Sequence, residues 1–300
     1  MNKKLISKVF TTTLIMFFVL TVYTIPTLKK NDNTLRTNLE IDDVADIPMT
    51  KIYLLNNNNY LIQTNVFIPN KEPQKRIEGI IKYLTIENND LPAGLNAYIP
   101  KNTKILSIKI EEKTAKINFS KELLDTDKLE TVITGIVYSI INIEGIDNLL
   151  LTIDDKPISN YEKMINKNIG INKDYSYTSR NNIMKTTIFY LDNINDNYYY
   201  VPVTKYLNDN REKIEVIVDE LINNNSEFIS PINNKTKLLN YKELNNVLYL
   251  NFNKYFIDSN NEINKNIQEM IAYSVFENYD VDMVMYEVND KKIDFIKNNQ

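Results

Sequence analysis

Apolar residues along this chain recur in two rhythms, and the rhythms come in the same order twice. Ile52–Leu55 and Ile188–Leu191 are short apolar runs, as buried strands are. A second run follows each, at Tyr60–Ile68 and at Tyr198–Val203. Then the period lengthens. Ile77, Ile80, Ile81 and Leu84 fall at i, i+3, i+4 and i+7, and Ile214, Ile217, Val218 and Leu221 repeat that spacing. Each set places one apolar stripe on an α-helix. Pro73 suits the first turn of the earlier helix. Alternation returns at Leu106, Ile108 and Ile110, turns through Glu111–Thr114, and resumes at Ala115, Ile117 and Phe119, which predicts a hairpin. Its counterpart runs from Leu239 and Tyr241 through Asn245-Asn246 to Leu248, Leu250 and Phe252. A second helix carries Leu129, Val132, Ile133, Ile136 and Ile140, then Ile263, Ile267, Met270, Ile271 and Val275. A last strand closes each set, at Leu149–Ile153 and Met283–Val288.

The predicted order is therefore β-β-α-β-β-α-β, twice. One apolar stripe per helix and one apolar alternation per strand favour two helices packed on one face of a mostly antiparallel sheet, an α+β fold in each copy. The letters repeat as well as the rhythm. KIYLLN at 51–56 matches TIFYLD at 187–192, and IEGIIKYL at 77–84 matches IEVIVDEL at 214–221. AKINFSKEL at 115–123 matches LYLNFNKYF at 248–256, and IVYSI at 136–140 matches IAYSV at 271–275. NTKILS at 102–107 and IDDKPI at 153–158 find partners at 235–240 and 288–293. The offsets stay between 133 and 137 and the order is kept, so the chain holds two copies of one domain, 51–158 and 186–296, joined by a linker at 159–185.

Ahead of the copies lies a different pattern. Lys3, Lys4 and Lys8 precede a largely apolar stretch from Val9 to Ile25, and Lys29 and Lys30 follow it. Apolar residues cover every face, which argues against a buried helix of a soluble core. The stretch is short for a spanning helix, and a cleaved signal peptide would start in the same way. Val22-Tyr23-Thr24 makes a poor cleavage site, so we read a retained signal anchor at 9–28 behind a cytoplasmic stub at 1–8. The bias of basic residues puts the folded domains outside a cell membrane crossed once. Residues 29–50 are polar and aperiodic, a tether between membrane and domains.

Composition narrows the chemistry. The chain has 300 residues and a formal charge of −4, with acids and bases intermixed. That lacks the clustered basic footprint of a nucleic-acid binder. It has no His, no Cys and no Trp. Imidazole-based triads, the usual zinc sites, disulfides and lipid attachment to Cys are therefore excluded. Neither a catalytic group nor a metal or cofactor is expected. Asn is abundant and Gly is scarce, with five in all; the Asn runs 56–59 and 223–225 read as solvated loops.

Residues 91–124 carry a more specific pattern: Gly94-Leu95, then Ile99-Pro100, Thr103, an apolar strand, a turn, and Asn118-Phe119-Ser120. This stretch resembles the GerM domain family. The second copy is degenerate: Thr236 fits, Ser230-Pro231 fits loosely, Asn253 stands for the motif Ser, and no Gly matches Gly94. The resemblance implies tandem domains behind a membrane anchor and a role in sporulation or spore germination. It further implies an envelope protein acting through assembly rather than known chemistry, with a fold similar to small α+β modules that build rings. Partners on this reading are the membrane, an envelope protein or a second copy, and peptidoglycan.

The motif residues themselves read as structural. Gly94 suits a turn needing positive φ, Pro100 sets up the next strand, and Asn118 and Ser120 suit a helix N-cap. The acid pairs Asp42-Asp43, Glu111-Glu112 and Asp154-Asp155 raise a glycosidase only if carboxylates converge, and adjacent acids on a turn point apart. Tyr198-Tyr199-Tyr200 is the densest of the chain's aromatic clusters. It is a candidate partner surface, although on an alternating strand at least one ring must face the core. The leading expectation is a non-enzymatic assembly component of the envelope. The alternative is a wall module that binds peptidoglycan or another glycan through tyrosines, and a carboxylate-based wall hydrolase is third.

Overall fold

Both copies take the predicted element order in the computed structural model, which describes residues 49–87 and 91–298. The expected stub, the anchor and nearly all of the tether lie outside the described residues. The first copy comprises β1 (Met49–Leu55), β2 (Leu61–Phe67), α1 (Pro73–Leu84), β3 (Ile105–Glu111), β4 (Thr114–Phe119), α2 (Leu129–Ile140), β5 (Asn148–Ile153) and β6 (Lys156–Pro157). A short β7 (Asp174–Tyr175) lies between the copies. The second copy comprises β8 (Ile183–Ile194), β9 (Asn197–Asn208), α3 (Lys213–Ile222), β10 (Leu238–Leu244), β11 (Val247–Phe252), α4 (Lys265–Asn278), β12 (Met283–Val288) and β13 (Lys291–Lys297). Among the described residues no helix is long and apolar enough to cross a membrane.

The apolar stripes turn inward as their spacing requires. Ile77, Ile80, Ile81 and Leu84 on α1 are buried, as are Ile214, Ile217, Val218 and Leu221 on α3. Phe119 and Phe252, which end the inward-facing sets of β4 and β11, are fully buried. The repeated Ser in IVYSI and IAYSV has its own task. Ser139 Oγ on α2 accepts from the Tyr53 N–H of β1 at 3.0 Å, and Ser274 Oγ on α4 accepts from the Phe189 N–H of β8 at 2.9 Å. Each bond ties a helix to a strand that would otherwise leave a buried donor unpaired.

The sheets depart from the expected single sheet per copy. In each copy four strands make one sheet, ordered β3-β4-β5-β6 and β10-β11-β12-β13. Within it β4 and β5, like β11 and β12, run parallel. A parallel pair needs a crossover, and α2 and α4 supply it. Alternation of apolar residues is the same for either strand direction, so the pattern could not distinguish them. The extra strands β6 and β13 pair antiparallel with β5 and β12.

The first hairpins of the two copies leave these sheets and join each other. Antiparallel β1-β2 and β8-β9 meet where Gln63 of β2 pairs with Tyr200 of β9. β8 occupies one edge of β9, while β2 and the parallel β7 share the other. The result is one five-stranded sheet built from both copies and the segment between them. That segment, 159–185, packs inward: Ile171 is fully buried and Ile165 nearly so.

Turn chemistry explains the scarcity of glycine. Among the described residues, fourteen other than Gly have positive φ, and all except Glu112 are Asn or Asp. These two types tolerate the left-handed region best after Gly. Asn195-Asp196, Asn245-Asn246 and Asn289-Asp290 each place two consecutive residues there, as tight hairpin turns require. The Asn bias is thus partly structural, a role that composition alone had not indicated.

Candidate functional site at the junction of the copies

The motif residues lie at two places, the end of β4 and the junction. Asn118 is almost fully buried, and its side chain closes the β5–β6 turn. Its Oδ1 accepts from the Asp155 N–H at 3.1 Å and from the Thr152 hydroxyl at 3.0 Å, while Nδ2 donates to Asp155 Oδ1 at 2.8 Å. Asn251 does the same in the second copy, accepting from the Asp290 N–H at 3.1 Å and donating to Asp290 Oδ1 at 2.7 Å. The repeated Asn-Phe therefore couples one core ring to one turn clamp.

Ser120 differs from its expected cap. It precedes a 3-10 turn (Lys121–Leu124), but its Oγ accepts from the Lys104 N–H at 2.9 Å rather than from a helix amide. Lys104 starts the approach to β3, so the bond binds neighbouring chain segments. Asn253 makes the matching bond to the Lys237 N–H at 3.2 Å and also caps Tyr255. A side-chain acceptor at this place thus survives the change from Ser to Asn. The Thr103 N–H donates to the Pro100 carbonyl at 3.0 Å, and Ile99 is fully buried. The acid pairs do not converge. Asp154 and Asp155 fill the left-handed positions of a turn, and Glu111 pairs with Lys116. Asp42-Asp43 lies outside the described residues. Among the described residues, no group of three or more carboxylates could hold a metal ion.

Gly94 belongs to the junction. Its φ is +85, and a Cβ there would lie 2.3 Å from Ile194 Cγ2 and 2.9 Å from Asn195 Nδ2. The first copy's Gly-Leu segment thus rests on the tip of the second copy's β8–β9 hairpin. Neighbouring bonds hold the same contact: Asn56 Nδ2 donates to Asp192 Oδ2 at 2.8 Å and the Tyr60 hydroxyl to Glu227 Oε1 at 2.6 Å. The Glu227 bond pushes the Tyr60 hydroxyl up to about 12.

Sequence reading missed the central residue of the junction, Asn172. Its Oδ1 accepts from the Leu61 N–H at 2.9 Å, and its Nδ2 donates to the carbonyls of Leu61 and Pro202, both at 2.8 Å. One side chain replaces the ladder bonds that β2 and β9 do not make beyond their single bridge. Its position in a polar segment of Asn and Lys gave no sign of this.

The three candidate tyrosines part company. Tyr198 is exposed, while Tyr199 and Tyr200 are half-buried. Successive residues on β9 point to opposite faces, so the three cannot form one surface. Tyr200 donates to Glu269 of α4 and meets Tyr273 edge-to-face at 4.9 Å. A different aromatic group is open to solvent. Tyr175 is 60% exposed, stacks on Tyr206 at 5.0 Å and touches Tyr177 at 6.2 Å. Its signal was the alternation of Tyr175 and Tyr177.

Between the copies lies a cleft of about 400 Å³ lined by residues of both. Lys51 reaches in from β1 and lies over the Tyr273 ring at 5.8 Å. Lys167, between the copies, pairs with Glu277 of α4 at 3.2 Å. Burial, then repulsion from Lys167, pushes the Lys51 ammonium down to about 8, against a smaller pull from Glu277. Burial and Glu269 raise the Tyr273 hydroxyl to about 12.

Known proteins match this arrangement. The family model Germane, described as sporulation and spore germination, matches residues 51–159 and again 187–294. A curated relative, the spore germination protein GerM of Bacillus subtilis (strain 168), is 25% identical over 288 residues, covering 88% of this chain and 77% of the relative. A solved structure of the tandem GerMN domains of the sporulation protein GerM from Bacillus subtilis is similar in fold. Its TM-score is 0.72 at 23% identity, over 81% of this chain and 91% of that one.

Proposed function

We propose that this chain, which belongs to the Germane family of sporulation and spore germination, acts in that process as a non-enzymatic, membrane-anchored scaffold of the cell envelope. Family membership and the curated relative support a role in sporulation or germination. The apolar stretch 9–28, flanked by lysines, supports the anchor and an extracytoplasmic placing of the domains. The relatives named above carry no enzymatic name.

The observation that carries the scaffold reading is the shared sheet. The two hairpins and Asn172 weld the copies into one unit. Two domains of fixed mutual orientation present two surfaces at a set distance, which is what an assembly component needs. Strands β3, β10 and β13 end their sheets, so backbone groups remain on those edges for pairing with a partner. Photo-crosslinkers at Lys109, Lys242 and Lys292 in sporulating cells test this. Discrete adducts with an envelope protein or a second copy are expected. Full spore formation and germination without such adducts would refute it.

The exposed Tyr175, with the half-buried Tyr177 and Tyr206 beside it, favours a second reading, contact with wall glycan, because sugar faces stack on such rings. Sedimentation of the protein with purified peptidoglycan sacculi distinguishes the two. Pelleting lost on Tyr175→Ala supports wall binding, and muropeptide release would overturn the non-enzymatic reading.

A further inference from the structure

Two of the four lysines that line the cleft between the copies, Lys51 and Lys297, have no ion-pair partner among the described residues, and of the two only Lys51 is withdrawn from solvent. Of its acids, Glu277 is held by Lys167, and Glu269 is held by Lys265 at 3.6 Å and by the Tyr200 hydroxyl. Lys51 is largely buried and, among the described residues, has no carboxylate or hydrogen-bond acceptor in reach. The face of the Tyr273 ring at 5.8 Å and a weak pull from the already paired Glu277 are its compensation. Lysines 51, 167, 265 and 297 face the cleft against the two glutamates. Burying an ammonium without a partner is costly, and an anion entering here would remove that cost. The remaining wall sets the rings of Phe189, Tyr273 and Phe276 beside the amides of Gln63, Gln268 and Asn298. The volume lies within the range of small-ligand sites.

We propose that this cleft binds a small organic carboxylate carrying a ring, with Lys51 as counter-ion and the Tyr273 and Phe276 rings as the apolar wall. The carboxylate satisfies the ammonium, and the ring fills space that a bare inorganic anion would leave wet. The site needs both copies, since Lys51 comes from the first and the aromatic wall from the second. A ligand there would tighten the junction, because anything bound only to the joined form stabilises that form.

The test is calorimetry on the full chain in detergent micelles, with benzoate as the probe and inorganic phosphate and benzyl alcohol as comparisons. Benzoate is expected to bind saturably and more tightly than either comparison. Lys51→Gln should weaken it by about tenfold or more, the loss typical of a charge-assisted hydrogen bond. Lys51→Arg should retain most of the binding, and Lys116→Gln on the opposite sheet should change nothing. Thermal melts of each variant separate loss of the site from loss of the fold. Binding at pH 8.5 should take up protons, measured by repeating the titration in buffers of different ionisation enthalpy. Absence of saturable benzoate binding overturns the proposal, as does unaltered binding by a folded Lys51→Gln. Phosphate or benzyl alcohol binding as tightly as benzoate would overturn the ligand class.

Discussion

Asn172 holds Leu61 from both sides, its Oδ1 taking the Leu61 N–H at 2.9 Å and its Nδ2 giving to the Leu61 carbonyl at 2.8 Å. The same amide reaches the carbonyl of Pro202, so the bond crosses from one copy to the other. Asn172→Ala removes three hydrogen bonds and leaves backbone groups unpaired, an expected loss of about 2–4 kcal/mol. Asn172 also has φ +43, where Ala adds about 1 kcal/mol of strain. Asn172→Gly should therefore lose less than Asn172→Ala while still weakening the junction. Urea unfolding of the two variants measures both terms, and equal losses would assign the whole effect to the hydrogen bonds.

Gly94 tests the junction from its other end. A Cβ there meets Ile194 Cγ2 at 2.3 Å, and the φ of +85 is unfavourable for any other residue. Gly94→Ala is expected to cost about 1–3 kcal/mol from backbone strain and overpacking together. Adding Ile194→Ala should recover the packing part and leave the backbone part. A double-mutant cycle on the urea midpoints reads the coupling; strict additivity would mean that the hairpin tip moves aside.

The duplicated Asn gives a graded prediction. Asn118 makes three side-chain hydrogen bonds, including one with Thr152, whereas Asn251 makes two, both with Asp290. Asn118→Ala should cost about 2–3 kcal/mol and Asn251→Ala about 1–2 kcal/mol, at roughly 1 kcal/mol per bond. Equal losses in thermal melts would show that the Thr152 bond contributes nothing.

These clamps mark the limit of what the sequence disclosed. The stripe of Ile77, Ile80, Ile81 and Leu84 was legible because a 3.6-residue period needs no partner to be seen. So was Phe119, which ends an alternating run and then recurs as Phe252. The joining of β2 to β9 was not legible: period-two alternation records which face is buried and is silent about the neighbouring strand. Asn172 was hidden for a related reason. A polar side chain that pairs with backbone leaves no periodic trace, and its neighbours are polar whether or not they pack. Tyr200 was singled out as one of three surface rings, yet its role came from Glu269 and Tyr273, far along the chain and brought close only by folding.

Lys51 links stability to pH, and the sign follows from its environment. Burial holds its folded-state pKa near 8, against the ordinary 10.5 expected of the unfolded chain. Between those values the unfolded chain binds more protons, so stability rises with pH there. The penalty for the buried ammonium is present in full below pH 8 and shrinks as pH climbs toward 10.5. Lys51→Met should therefore stabilise the protein at pH 7 by up to about 3 kcal/mol and gain progressively less toward pH 10. Lys167, Lys265, Lys297, Glu269, Glu277 and Tyr273 also face Lys51 across the cleft. Both proteins retain these groups, and both retain the tyrosines whose hydroxyls burial raises, such as Tyr53 and Tyr98. The difference between the two stability curves from pH 7 to 9.5 thus isolates the Lys51 ammonium. A gain from Lys51→Met that stays constant over that range would place the effect in packing and remove the electrostatic basis for an anion in the cleft.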